Sequence, residues 1–201
     1  VADENHTREE AVTIAVENPA PDTSLAELAD QLRVPEGYRV EIIGGQVVVS
    51  PTPLLRHARI VSRLFRAPAL AVEGLVPLDM VSIELPDSEE RYIPDLVFLP
   101  EEVNDDEWLI PVSEVALAVE VTSPGNPEHD RVRKLRGYAR AAVPIYLLID
   151  TGDETVTLFE NPRDGAYHRQ TRVDMGGTIT LPAPFSGELD TKPFVARGGK
   201  F

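Results

Sequence analysis

Two acidic residues sit where acids are costly. Asp95 follows Tyr92-Ile93-Pro94 and opens the apolar run Leu96-Val97-Phe98-Leu99, and Glu120 lies inside Leu117-Ala118-Val119-Glu120-Val121-Thr122. Burying a carboxylate without a partner costs several kcal/mol, so such a group is normally paired, hydrogen-bonded or bound to a metal. A helix-like segment carrying Asp130 and Lys134 follows shortly after. Two acids and a lysine on adjacent core elements are a minimal kit for metal-dependent phosphodiester hydrolysis. The acids supply hard oxygen ligands for a divalent cation. The ion lowers the pKa of a bound water. The ammonium orients that water or steadies charge on the phosphate.

The elements that must position these groups follow from periodicity. Side chains alternate along a strand, so Ala118, Glu120 and Thr122 share one face, and Asp95 shares a face with Val97 and Leu99. If the two strands are neighbours in suitable register, both carboxylates point to one spot. The Val121 carbonyl is a candidate to complete a metal shell. Asp130 and Lys134 are four apart and share a helical face. The helix is predicted from about Glu128 to Ala142, capped by Asn126 and Pro127, with Val132, Leu135, Tyr138, Ala139 and Ala142 on its packing side. Lys134 and Tyr138 border that stripe, where a lysine can bury its stem and aim its amine over the sheet edge.

Each residue also has a plain structural reading. Asp95 could cap a turn, and Glu120 could pair with an arginine. Asp130–Lys134 could be an exposed helix ion pair. The cations from Arg131 to Arg140 could form a solvated face, and Tyr138 could simply be core.

Elsewhere the chain reads as one domain of α/β type with a mixed sheet. Residues 1–23 are an acidic arm, 24–190 the domain and 191–201 a tail. Ser24 and Glu27 form a capping-box pattern ahead of Leu25, Leu28 and Leu32. Tyr38–Ile43 and Gln46–Ser50 flank Gly44-Gly45, a hairpin signal. A helix starts near Leu54 and meets Pro68. Leu75–Leu85 and Arg91–Leu99 are expected as two strands, residues 100–114 as loop, and the end of the chain as antiparallel strands.

Composition narrows the function. A net charge of −15 argues against a protein that coats nucleic acid nonspecifically. It leaves room for a nucleic-acid enzyme, because metal-binding carboxylates add negative charge and a local basic patch can coexist with them. The chain has no cysteine, which excludes disulfides and thiolate metal sites. No apolar run is long enough to suggest a membrane span, and the acidic N-terminal stretch lacks the order of a signal peptide. A cytoplasmic location is therefore expected. No P-loop, dinucleotide motif or zinc-ligand spacing is present.

Pro94-Asp95 and Glu120-Val121-Thr122 resemble the PD-(D/E)xK nuclease superfamily. The wider set is similar to the Uma2 family of restriction-endonuclease-like proteins (DUF820). It comprises Tyr38–Gly45, Ser50-Pro51-Thr52-Pro53 with His57, Ile93–Val97, Val119–Pro124, His129–Ala141 and Val143–Asp150. The resemblance spans about residues 25–185. It implies a restriction-endonuclease-like αβββαβ core, a mixed sheet flanked by helices with additional antiparallel strands. It implies Asp95 and Glu120 as ligands of Mg²⁺ or Mn²⁺, with Glu41 as an additional acid acting through water. The superfamily's lysine normally lies two residues after the second acid. Here that residue is Thr122, and Lys134 on the following helix stands in its place. His57, Ser123 and Asp130 are candidate substrate contacts, with a structural role the alternative for His57.

The implied activity is a metal-dependent endonuclease acting on DNA, expected to work as a homodimer. Two other readings stay open. One is a catalytically degenerate nuclease fold serving as a binding or regulatory module. The other is a hydrolase of smaller phosphate esters.

Overall fold

The computed structural model describes residues 12–14, 23–51, 53–86, 89–104, 106–122, 129–185 and 187–196. In chain order the elements are β1 (Val12–Ile14), α1 (Leu25–Gln31), β2 (Arg39–Ile43), β3 (Gln46–Ser50), α2 (Leu55–Leu64), β4 (Leu75–Leu78), β5 (Ser82–Glu84), β6 (Arg91–Tyr92), β7 (Leu96–Pro100) and β8 (Leu109–Pro111). They continue with β9 (Leu117–Thr122), a π-helical segment (His129–Lys134), α3 (Leu135–Arg140), β10 (Ile145–Asp150), β11 (Thr155–Arg163), β12 (Ala166–Asp174), β13 (Thr178–Leu181) and β14 (Gly187–Asp190).

The strands form two six-stranded sheets and one two-stranded ribbon. The central sheet runs β12-β11-β10-β9-β7-β4. Only β9 and β10 pair in parallel within it, joined by the crossover through α3. A second sheet runs β1-β3-β2-β6-β5-β8 and carries the Gly44-Gly45 hairpin. Both glycines have positive φ (59° and 72°), as a two-residue turn of this hand requires. Within residues 1–23, Val12–Ile14 adds a strand antiparallel to β3.

Residue alternation in the central strands makes two cores. Leu117, Val119 and Val121 with Leu96 and Phe98 face α2 and the β13–β14 ribbon. Val97, Leu99, Ala118, Tyr146 and Leu148 face the second sheet and α3. Continuous apolar runs such as β9 and β10 fit a sheet covered on both faces. The Ser24–Glu27 capping box is present, with both reciprocal hydrogen bonds.

The structure departs from the sequence reading at three places. The expected long strands 75–85 and 91–99 are each broken in two, and their halves belong to different sheets. The break in the first falls beside Met80, whose φ is +59°. The break in the second falls at Ile93-Pro94, where proline removes a backbone donor. Residues 100–114, expected as loop, hold β8 and a short 3₁₀ turn.

The third departure matters most for function. The helix expected from Glu128 begins as a π-helix over His129–Lys134 and becomes α-helical only at Leu135. The wider turn changes which side chains face inward. Val132, expected to pack, is 38% exposed, whereas Lys134 is 3% exposed. Ala142 leaves the helix with a φ of +57° and is exposed. Asn126 and Pro127 lie outside the described residues.

Candidate functional site

The register of the central sheet brings the two acids together. β7 and β9 are antiparallel with Leu96 opposite Val119. One residue further on, Asp95 faces Glu120. Directly opposed residues of an antiparallel pair project to the same side, with Cβ atoms about 4.5–5.5 Å apart. The side is that of Val97 and Ala118, toward the second sheet and α3. β2 of the second sheet contributes Arg39 and Glu41, two residues apart and so on one face of that strand.

Lys134 stands at the centre. Its Nζ lies 2.8 Å from Glu41 Oε1 and 3.0 Å from Glu120 Oε1. The Tyr138 hydroxyl donates to the same Glu120 oxygen at 2.7 Å. Glu41 Oε1 also accepts the Ile93 amide at 2.8 Å. The exposed ion pair considered for Lys134 is therefore not its role: it is a buried cation between two buried carboxylates. Its neighbour Tyr92 packs closely on α3, because Gly137 has no side chain there. A Cβ at Gly137 would come within 2.1 Å of the Tyr92 hydroxyl.

Asp95 is held from three elements. Arg39 Nη1 donates to Oδ1 at 2.9 Å, and the Val121 amide donates to Oδ2 at 2.8 Å. His57 Nε2, from the first turn of α2, also lies 2.8 Å from Oδ2. Burial pushes the Asp95 carboxyl up, but the hydrogen bond and charge of His57, with Arg39 and Lys134 behind them, outweigh it. The carboxyl ends well below the usual carboxylate range. Burial lowers the Arg39 guanidinium, yet Asp95 and Glu41 raise it further still. Burial and the Glu120 charge push the Tyr138 phenol up, so it is a fixed donor.

Glu41, His57, Asp95, Glu120 and Lys134 thus converge on one buried cluster. Val121 joins it through its amide, which donates to Asp95. Ser123 and the side chain of Asp130 lie outside the described residues. Arg39 was missed in the sequence. Its signal was parity, since it shares a strand face with Glu41. Tyr138 is both core and polar partner, four residues beyond Lys134.

The donor set suits a hard divalent cation in kind, being three carboxylates. It does not yet suit one in arrangement. Among the described residues no group of three acidic or histidine side chains could hold a metal ion as it stands. The Asp95 oxygens are engaged by Arg39, His57 and Val121, and Glu120 Oε1 by Lys134 and Tyr138. Two positive groups, Arg39 and Lys134, face three negative ones, with His57 beside Asp95. Two buried polar atoms beside Asp95, Arg39 Nε and His57 Nδ1, have no hydrogen-bond partner. The site is attractive to a cation and has unused polar groups, but an ion must displace Arg39 or His57 from Asp95 to share that carboxylate.

A second buried aspartate lies at the end of β10. Asp150 accepts from the Gly152 and Asp153 amides, both at 3.0 Å, from the Thr122 hydroxyl at 3.3 Å, and from Arg131 Nε at 2.5 Å. Thr122 therefore turns its hydroxyl to a neighbouring strand end. Burial raises the Asp150 carboxyl, and Arg131 with the turn amides lowers it below its ordinary value. Arg131, Arg133 and Arg140 contact Asp150, Gln46 and Glu90 respectively, while Arg136 and Arg140 stay exposed.

Comparison with known proteins bears on both fold and family. The Uma2 family, described as "Putative restriction endonuclease", matches residues 25–192. A crystal structure from Anabaena variabilis ATCC 29413, described as "a putative nuclease belonging to DUF820", superposes with a TM-score of 0.67 at 17% identity. The match covers 86% of this chain and 97% of that one, and at this identity it speaks for the fold. No curated protein matches the chain. Among the described residues no helix is long and apolar enough to cross a membrane.

Proposed function

The chain belongs to the Uma2 family, and from that premise and the geometry of the buried cluster we propose that it is a metal-dependent endonuclease hydrolysing phosphodiester bonds of DNA. The observation that carries this reading is Lys134, fully buried and held between Glu41 and Glu120 on the side of the sheet that Asp95 faces. A buried lysine is expensive unless it is paired, and here two carboxylates pair it. Its place supports a lysine that has moved from the strand, where Thr122 stands, to the following helix.

In this reading Asp95 and Glu120 hold Mg²⁺ or Mn²⁺, with the Val121 carbonyl as a further ligand and Glu41 acting through water. The ion would polarise the phosphate and make a bound water acidic. The protein's own part is positioning. Tyr138 and Glu41 fix the Lys134 ammonium so that it can steady charge on the phosphate without reorganising. His57 and Arg39 hold Asp95 in its ionised form, and Asp95, Glu120 and the Val121 carbonyl would be the groups to hold the ion, with His57 a substrate contact. A homodimer would offer two sites, the simple route to cutting both strands of a duplex.

The test is nicking of supercoiled plasmid with Mg²⁺ or Mn²⁺, comparing the wild type with Asp95→Asn and Lys134→Ala. Conversion to nicked and linear forms by the wild type alone is expected. Equal cleavage by all three proteins would sink the assignment. Mn²⁺ binding by the wild type without any cleavage would favour a degenerate fold acting as a binding module.

A further inference from the structure

We infer that the outer flank of α2 is a DNA-backbone contact surface leading into the site; this rests on the nuclease reading above. Arg56, Arg59, Arg63 and Arg66 recur at spacings of three, four and three residues. At about 100° per residue Arg56, Arg59 and Arg63 fall within one arc of roughly 60°, and Arg66 follows in the turn past the helix end. The opposite side of the helix buries His57, Ile60, Val61 and Leu64. α2 contains no acidic residue, in a chain whose net charge is −15.

The partners of these arginines differ along the stripe. Arg56 bonds the Thr151 carbonyl and Glu154, and Arg66 bonds Ser62. Arg59 and Arg63 make no salt bridge among the described residues, and Arg59 is exposed. In a chain of net charge −15, two arginines without a carboxylate partner among the described residues make a local positive patch, complementary in charge to a phosphate backbone. The stripe meets the site at its N-terminal end: Arg56 adjoins His57, whose ring touches Asp95. From Arg56 to Arg63 it runs about 10 Å, enough to reach about two phosphates of one strand. Contacts of this kind position DNA without reading its sequence.

The experiment is fluorescence polarisation of a labelled duplex in EDTA, so that nothing is cleaved, across a series of salt concentrations. The proteins are the wild type, the double variant Arg59→Ala/Arg63→Ala, and Arg136→Ala, an exposed arginine of α3 off the stripe. Each lost phosphate contact lowers the slope of log K against log salt by about 0.9. The double variant should therefore lose nearly 2 from the slope and bind at least about tenfold more weakly at low salt, while Arg136→Ala matches the wild type. Equal affinities and slopes for all three proteins would overturn the surface while leaving the nuclease reading intact. Wild-type binding that needs the stripe, with no plasmid nicking in Mg²⁺ or Mn²⁺, would support the surface and refute the nuclease. Absence of salt-dependent binding by the wild type would overturn the surface as well. Thermal melts of the variants separate lost contacts from lost fold.

Discussion

Asp95 and Asp150 are both buried aspartates beside the same strand, β9, yet they are held in opposite ways. Asp150 is satisfied by its own turn and by adjacent elements: two amides within three residues of it, a neighbouring hydroxyl and an arginine at the rim. Asp95 has no such local support. Its partners come from β2, α2 and β9, at separations of 56, 38 and 26 residues. Asp150 takes two of its bonds from its own turn and the other two from Thr122 and Arg131, 28 and 19 residues away. A carboxylate gathered by three distant elements depends on the assembled fold for its partners. The pairing of Lys134 with Glu41 and Glu120 follows the second pattern.

The largest effect should come from the centre of the long-range cluster. Lys134→Met leaves Glu41 and Glu120 buried without their common cation, and breaking a buried pair in this way costs about 3–5 kcal/mol. Urea unfolding would measure it, and adding Glu41→Gln to the same variant should restore a good part of the loss. A loss under about 1 kcal/mol for Lys134→Met would show that the lysine does not hold the two acids together.

Asp95→Asn comes next. The amide can still accept from Val121, but Arg39 loses its principal partner, and a hydrogen bond to a charged group is worth about 1.5–3 kcal/mol. Mn²⁺ binding followed by calorimetry should weaken together with stability. If stability falls and Mn²⁺ binding does not change, Asp95 belongs with Asp150 as a structural acid and the contrast between them collapses.

How far the sequence foretold this contrast differs from residue to residue. Alternation put Glu120 and Asp95 on faces that could meet, and the pairing of β7 with β9 makes them meet. The capping box and the two-glycine hairpin were equally local, and equally plain. The burial of Lys134 was hidden because it depends on a π-helical turn, whose wider spacing exchanges the places of Val132 and Lys134. Counting at α-helical spacing puts Lys134 only at the border of the packing stripe, and puts Val132 inside it. The grip of Arg39 and His57 on Asp95 was hidden for another reason. It joins β2, α2 and the edge of β7, and no local pattern encodes which strands of two different sheets come to lie side by side.

Asp150→Asn should be milder and should show itself in acid. Its carboxyl is lowered in the folded protein, chiefly by Arg131 against the upward push of burial. A group depressed on folding stabilises fully above its unfolded pKa, about 3.9, and loses that contribution as pH falls through the folded value. Stability of the wild type should therefore decline below about pH 4 more steeply than that of Asp150→Asn. At neutral pH the variant should lose about 1 kcal/mol, and plasmid nicking should stay at the wild-type level. Parallel acid limbs for the two proteins would contradict the assigned pairing with Arg131.

The smallest effect is expected at Thr122, and it bears most sharply on where the site ends. Thr122 occupies the place in which the superfamily carries its lysine, on the same strand face as Glu120. Its hydroxyl, however, donates to Asp150 and accepts the Thr151 amide at 3.2 Å. It belongs to the turn by its bonds and to the site by its position. If the bonds decide, Thr122→Val costs about 1 kcal/mol of stability and leaves nicking unchanged, because nothing in the Lys134 cluster touches the hydroxyl. If position decides, nicking falls tenfold or more at nearly unchanged stability. The urea midpoint and the nicking rate of this one variant therefore fix the boundary between the locally held acid and the one that three elements gather.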